Sequence, residues 1–280
     1  MNAERKRYLE RTAQDIRVTG LKMVEKARSG HIGGAFSMSE LMAVLYFDKM
    51  NIRPEEPGWE DRDRFVLSKG HCTVALYPTL ALRGFFDRKL LDTFRRIDGC
   101  LSGHAEMNHV PGVDMSTGSL GQGFSAAVGM AQGAKLAGKG LTVYAVLGDG
   151  EIQEGQIWEA SMYAGAHALD NLIAFVDSNK VQLDGTVKEI LDTGDIRAKF
   201  EDFGFFAQSI DGHDVGAIAE AIDRAKAEKG RPAMIILNTV KGKGVSFMEG
   251  RSEWHGRTPN EEQFAAAFAE LYARAAELEG

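Results

Sequence analysis

The sequence predicts an α/β protein: one parallel β-sheet covered by helices on both faces, a three-layer arrangement. Three observations point there. Short apolar runs alternate with helix-like stretches along the whole 280 residues, as in parallel sheets whose crossovers carry helices. No internal repeat, low-complexity linker or seam divides the chain, so it reads as one domain over 1–280, with a core over about 10–250 and a helical tail over about 260–280. Finally, Gly148-Asp149-Gly150 follows the apolar run Leu141–Leu147, and Asn179 closely follows a second run, Asn171–Val176. Ligands of open parallel sheets sit beyond the strands' carboxyl ends.

The elements follow in order. Leu9, Ile16, Leu21 and Val24 recur near helical spacing and predict one amphipathic helix from about Ala3 to Ala27, ended by Arg28-Ser29-Gly30. A loop, His31–Phe36, precedes a helix that Ser37 or Ser39 would cap, running to about Met50. Pro54 and Pro57 mark the polar stretch Asn51–Asp63 as a surface connection. Arg64–Ser68 reads as a short buried strand, and helices are expected over Thr73–Arg83 and Lys89–Arg96. Gly99–Gly123 is long, glycine-rich and aperiodic; a loop of that length in a compact domain is usually functional or disordered. A helix of small residues opens at Gly121. Phe205–Ile210 and Ala233–Leu237 read as two further strands, joined by a helix over Val215–Glu228, and Asn260–Glu277 as a terminal helix.

Composition is that of an ordinary globular chain, 44% hydrophobic and 26% charged. A net charge of −7 argues against a general nucleic-acid binder. Cys72 and Cys100 make neither a metal pattern nor a disulfide framework, which favours a reducing cytoplasm. The charged start, Met1–Tyr8, leads into no apolar signal core, and no run approaches the roughly 20 apolar residues of a membrane span.

Asp149 and Asn179 would face one crevice, and both are hard oxygen donors. Such a pair suits a magnesium ion that also holds a diphosphate, with the carbonyl near Val181, phosphate oxygens and a water completing six oxygens. Gly148 and Gly150 let the backbone turn tightly and approach a phosphate. The tripeptide alone could be an ordinary turn; the paired strands and the distant asparagine favour the site. The oxygen-donor alternation of a calcium-binding helix-loop-helix is lacking. Seven histidines occur, and four of them, His31, His71, His104 and His255, lie in glycine-flanked segments suited to proton handling. His109, His167 and His213 keep a structural reading.

Gly148-Asp149-Gly150, 28 intervening residues and Asn179 resemble the cofactor signature of the thiamine diphosphate-binding fold, with Ser178 replacing a frequent first asparagine. Other segments resemble transketolases specifically: Ser29-Gly30-His31-Ile32-Gly33, Asp63–His71, Ser102-Gly103-His104-Ala105-Glu106, Thr117–Gly123, Glu151–Gly155, Lys241–Gly244 and Trp254-His255-Gly256. Ile32 and Ala105 stand where the family has proline. The resemblance implies thiamine diphosphate and Mg2+ as cofactors, with Ca2+ or Mn2+ able to substitute. It implies Asp149, Asn179 and the Val181 carbonyl as metal ligands. Gly150 and His71 would touch the diphosphate, Gly118 and Leu120 would border the aminopyrimidine, and Glu154 would lie near the pyrimidine-activating relay. His104 would hold the donor ketose's first hydroxyl, while His31 and His255 would handle the proton of its third. Lys241 and Lys243 would either meet a substrate phosphate or stay solvated.

The resemblance covers only the first part of a transketolase, whose full chain is over twice as long. It implies a two-carbon ketol transfer between sugar phosphates that needs a separate subunit carrying the pyrimidine-binding and carboxyl-terminal domains, in a heterotetramer. No nucleic-acid or membrane partner is expected. Alternatives are a relative acting on an unusual sugar phosphate or sulfosugar, the α-subunit of a 2-oxo-acid dehydrogenase, a deoxyxylulose-phosphate synthase, or a non-catalytic relative with a retired site.

Overall fold

The computed structural model describes residues 1–279. Its strands are β1 (Arg64–Leu67), β2 (Val143–Gly148), β3 (Leu172–Ser178), β4 (Phe206–Asp211) and β5 (Ala233–Asn238). They form one parallel sheet in the order β1-β2-β3-β5-β4. Its helices are α1 (Ala3–Ala27), α2 (Gly33–Phe36), α3 (Ser39–Val44), α4 (Thr73–Arg83), α5 (Gln122–Leu136), α6 (Gly155–Ala166), α7 (Val187–Leu191), α8 (Ile196–Asp202), α9 (Val215–Ala227) and α10 (Glu261–Glu279).

The period-2 geometry of a strand divides each apolar run between two cores. Tyr144, Val146, Ile173, Phe175, Ile235 and Leu237 pack with side chains of α1, α3, α4, α9 and α10. Val143, Ala145, Leu147, Leu172, Ala174, Val176, Met234 and Ile236 pack on the other face with Phe124, Ile157 and Phe200 of α5, α6 and α8. Both faces of the sheet are thus buried, which is why the strands read as continuous apolar runs rather than alternating ones. Each large side chain buried this way contributes roughly 1.5–3 kcal/mol. No helix among the described residues is long and apolar enough to cross a membrane.

The Asn2 side chain caps α1 by accepting from the Arg5 amide at 2.8 Å, and Arg28 ends the helix at φ 53°. The terminal helix α10 lies on α1. It buries Phe264, Ala267 and Leu271, and the Leu271 carbonyl accepts from the Gln14 side-chain amide at 2.7 Å.

Three segments differ from expectation. The helix expected to Met50 is broken into α2, α3 and one π-helical turn, Leu45–Lys49, and α2 takes up part of the predicted loop. Neither serine caps. Ser37 Oγ turns to the Asp177 carboxylate at 2.5 Å, with the Gly34 carbonyl 3.0 Å away, and Ser39 Oγ donates to the Ala35 carbonyl at 3.3 Å, a side-chain competition that interrupts a helix. Lys89–Arg96 is instead a 3-10 helix over Arg88–Thr93, started by the Asp87 side chain. Finally, α7 and α8 occupy a stretch with no predicted element. A Thr186/Glu189 capping box opens α7, and Asp195 caps α8.

Helix α6 crosses the end of α8 at a glycine. A Cβ on Gly165 would stand 1.8 Å from the Phe203 carbonyl oxygen. Gly165→Ala is expected to force the two elements apart and cost about 1–3 kcal/mol, read as a lower urea midpoint at unchanged slope. A midpoint equal to that of the parent would contradict the close approach.

Candidate active site

At the carboxyl ends of the strands, the buried Asp177 of β3 gathers four segments. One carboxylate oxygen accepts from Lys69 Nζ, from Ser37 Oγ at 2.5 Å and from Asn179 Nδ2 at 3.1 Å; the other accepts from Thr239 Oγ1. Lys69 Nζ also donates to the Gly34 carbonyl at 2.8 Å. Burial alone would push the Asp177 carboxyl up, but Lys69 and these hydrogen bonds outweigh it and hold it low. Burial pulls against the Lys69 ammonium too, and Asp177 overcomes it, so Lys69 is held charged.

Gly148 pairs with Asp177 across β2 and β3, which brings Asp149 beside the end of β3. Asp149 accepts from the Lys180 amide at 2.5 Å and the Gly150 amide at 2.9 Å. Burial, then the neighbouring Asp177, raises its carboxyl to about 6. Asn179 Oδ1 accepts from the Val181 amide at 3.1 Å, and the Val181 carbonyl accepts from Lys241 Nζ at 2.9 Å. Asp149, Asn179 and Val181 line one cleft of about 350 Å³. A buried carboxylate, an amide oxygen and a backbone carbonyl are hard oxygen donors suited to a small divalent cation, which would take the place that the Lys241 ammonium now holds on the carbonyl. Among the described residues no cluster of three His, Cys, Asp or Glu offers a metal site. A cation here would draw its other oxygens from a phosphate ligand and water, as magnesium does.

His31, His71, His104 and His255 line the same cleft. The His31 ring centre lies 5.3 Å from that of His71, 5.8 Å from His104 and 5.5 Å from His255. The His71 and His255 rings are 4.8 Å apart. Burial is the largest cause depressing all four. Arg95 adds to it at His31, lowered to about 4, and at His104. Lys241 adds to it at His255, lowered to about 3, and Lys69 at His71, which falls well below its ordinary value. At neutral pH the cleft therefore holds four neutral imidazoles.

Gly118, Leu120, Gly150 and Glu154 complete the sequence-predicted set within the cleft, with Glu154 exposed. The loop before α5 is fixed by a carboxylate from the Glu151–Gly155 segment, to which the sequence assigned no role. Glu151 accepts from Ser68 Oγ at 2.5 Å and from the Gly121 and Gly148 amides, each at 3.0 Å. Gly121 takes φ 83° to start α5, a conformation only glycine adopts freely. A Cβ at Gly70 would strike Thr117 Oγ1 at 2.5 Å and the Gly118 amide at 2.6 Å, so the two loops meet backbone to backbone.

Lys241 and Lys243 part company. Lys241 is buried in the cleft, and burial, then Lys69, lowers it to about 8. Lys243 lies outside it, with Glu249 3.5 Å away. His109 and His167 are also elsewhere, and His213 is structural: it accepts from the Val240 amide at 2.9 Å and donates to Glu40 at 3.1 Å. Asp177 lies in none of the motifs, and Lys69 and Glu151 lie in motifs that assign them no role, because their partners are remote in sequence or are backbone amides.

Fold and cleft define a covered parallel-sheet protein that binds an anionic ligand beyond β2 and β3. Residues 9–273 match the family model described as transketolase, thiamine diphosphate binding domain, and the chain belongs to that family. It is 50% identical to a 6-deoxy-6-sulfo-D-fructose transketolase subunit of Clostridium sp., over 94% of this chain and 96% of that one. It is 40% identical to an apulose-4-phosphate transketolase subunit of Phocaeicola vulgatus, over 97% and 96%. The transketolase structure from Leishmania mexicana superposes with a TM-score of 0.88 at 31% identity, covering 97% of this chain but 45% of that one. The chain thus spans less than half the length of that protein.

Asp149's raised pKa makes a prediction about the cation. Its protonated form is favoured by folding, so its contribution to stability is complete below 3.8 and is lost as pH rises through about 6. The gap corresponds to roughly 3 kcal/mol at most. A divalent cation with thiamine diphosphate should therefore raise the melting temperature more above pH 6 than below it, and Asp149→Asn should flatten that difference. An unchanged cation response in the variant would remove Asp149 from the site.

Proposed function

We propose that this chain is the diphosphate-holding subunit of a two-chain transketolase that moves a two-carbon ketol unit from a ketose phosphate to an aldose phosphate. One observation carries the reading: four neutral histidines surround the same cleft that holds Asp149, Asn179 and Val181. That arrangement sits in a chain matched almost end to end by relatives named as transketolase subunits. A retired binding module would have no use for both halves of it. A 2-oxo-acid dehydrogenase α-subunit would not need the four histidines.

In this reading Asp149, Asn179 and the Val181 carbonyl hold magnesium, and Gly150 and His71 meet the diphosphate. Gly118 and Leu120 border the aminopyrimidine. Bound thiamine diphosphate supplies the electron sink that ketol transfer requires. His104, exposed in the cleft and tied by its carbonyl to Tyr77 and Ser102, holds the donor's first hydroxyl. His31 and His255 take the third hydroxyl between them, where its proton is handled as the carbon–carbon bond breaks. Glu154 faces outward, where a group from the second subunit completes the relay. The two chains form a heterotetramer, and the two free cysteines suit the cytoplasm. Residues 1–280 act as one domain.

The half-identical relative named for 6-deoxy-6-sulfo-D-fructose favours a second reading of the substrate, a sulfosugar donor. One experiment separates these readings: the purified chain, with magnesium and thiamine diphosphate, is assayed alone and with a second chain carrying the remaining transketolase domains. Ketose phosphate and sulfofructose are tried in parallel. Turnover only with both chains is expected, and the preferred donor selects the substrate. Full turnover by this chain alone would refute the subunit reading. Binding is followed by the fluorescence of Trp254, which adjoins His255, rather than Trp158, which packs on Phe200 and Phe203.

A further inference from the structure

Arg95 lies behind the histidine cluster and belongs to none of the motifs described above. Its Nη2 meets His31 Nδ1 at 3.0 Å, and its Nη1 donates to Ser29 Oγ at 2.7 Å. The chain is built around this guanidinium. Arg95 takes the left-handed φ of 55°, and a Cβ on Gly103 would stand 2.6 Å from its Nε and 2.7 Å from Nη2. A glycine at 103 is therefore what admits the side chain.

A guanidinium has donors and no acceptor, and it does not lose its proton in proteins. The contact with His31 can then run in one direction only: Nδ1 accepts. A neutral imidazole whose Nδ1 accepts carries its proton on Nε2. That nitrogen lies on the opposite edge of the ring, 3.7 Å from where a Cβ on Gly256 would be, and glycine there leaves it uncovered. Protonating Nδ1 would abolish the bond and set two cations against each other. The other groups facing the ring are His71, His104, His255 and Lys241, and none of them is an anion.

We propose that Arg95 is a positioning residue that locks His31 as the Nε2–H tautomer, so that His31 serves ketol transfer as a hydrogen-bond donor to a substrate oxygen and not as the proton acceptor. This rests on the transketolase reading for its role in the reaction, but the lock itself belongs to the free chain. Accepting the third hydroxyl's proton then falls to His255 or to a group outside the cleft.

The test is nitrogen NMR of the full chain labelled at histidine, without cofactor, substrate or partner, with the His31 signals assigned by their loss in His31→Gln. The expected spectrum at neutral pH shows an unprotonated Nδ1 and a protonated Nε2. Titration should leave them so until the pH nears about 4. In Arg95→Met the titration midpoint should move up toward 6.5 and an Nδ1–H population should appear. Arg95→Lys, also a donor without an acceptor, should keep the parent tautomer. An Nδ1–H tautomer in the parent chain would overturn the proposal, as would an unmoved tautomer and midpoint in Arg95→Met. If Arg95→Met does not fold, the parent and Arg95→Lys spectra decide. A failure here leaves the two-chain activity assay untouched, and a failure of that assay leaves this spectrum interpretable.

Discussion

The buried pair of Lys69 and Asp177 is the constraint on which the cleft depends. Two charges taken out of water are costly, and removing one partner of such a pair costs about 3–5 kcal/mol because the other is left uncompensated. Here the cost of burial is offset by full hydrogen bonding. Lys69 reaches Asp177 and Gly34, and Asp177 also receives Ser37, Asn179 and Thr239. These groups come from the segment after β1, from the α2–α3 region, from the end of β3 and from the segment after β5. One carboxylate therefore fixes the relative position of the segments that line the cleft. It also holds the Asn179 amide nitrogen, which leaves the amide oxygen to face its other partners.

The same pair sets the electrostatics above it. Burial and then Asp177 raise Asp149, so the one carboxylate expected on a metal carries its charge at a cost that a nearby cation would relieve. Burial depresses His71, His255 and Lys241, and Lys69 adds to it at His71 and Lys241. Lysine and histidine side chains thus make much of the cleft positive or neutral, with Asp149 at the strand ends and Glu154 at the exposed edge as the exceptions. A diphosphate carrying a divalent cation would match that pattern: its oxygens would meet ammonium and imidazole groups, and its cation would meet Asp149. The thermodynamic cost of crowding these groups is carried by the empty chain and relieved by the ligand.

Much of the fold was legible because burial on both faces leaves an apolar run for each strand, as at Val143–Leu147 and Leu172–Val176. Asp149 and Asn179 were legible because a parallel sheet delivers residues just past its strands to one edge. The sequence was mute where a hydroxyl or charge chose a remote partner. Ser37 and Ser39 look like helix caps, yet the Ser37 hydroxyl turns to Asp177 and that of Ser39 to a carbonyl in α2. Lys69 and Asp177 lie 108 residues apart, and no local period links them. Glu151 stands in a segment that resembles transketolases, but the sequence does not show that it ties the loop before α5 to the end of β2. By contrast, Thr186 and Glu189 form a capping box that is readable without a structure, in a stretch that has too little apolar periodicity to predict a helix.

The two ends of the histidine cluster are held by different kinds of cation, and the difference has chemical consequences. Behind His31 stands a guanidinium, which can only donate. Behind His255 stands Lys241, 3.0 Å from Nδ1, whose ammonium is brought to about 8 by burial and by Lys69. A lysine in that range can exchange a proton with its surroundings near neutral pH, as an arginine cannot. The interior carboxylates are committed: Glu151 to a hydroxyl and two amides, Asp177 to the ion pair, Asp149 to two amides at the cleft floor. On the proposed reading, proton traffic in the cleft falls to the His255 side, while His31 stands as a fixed hydrogen-bond donor. A site so divided can orient a sugar's oxygens on one wall and move its proton on the other.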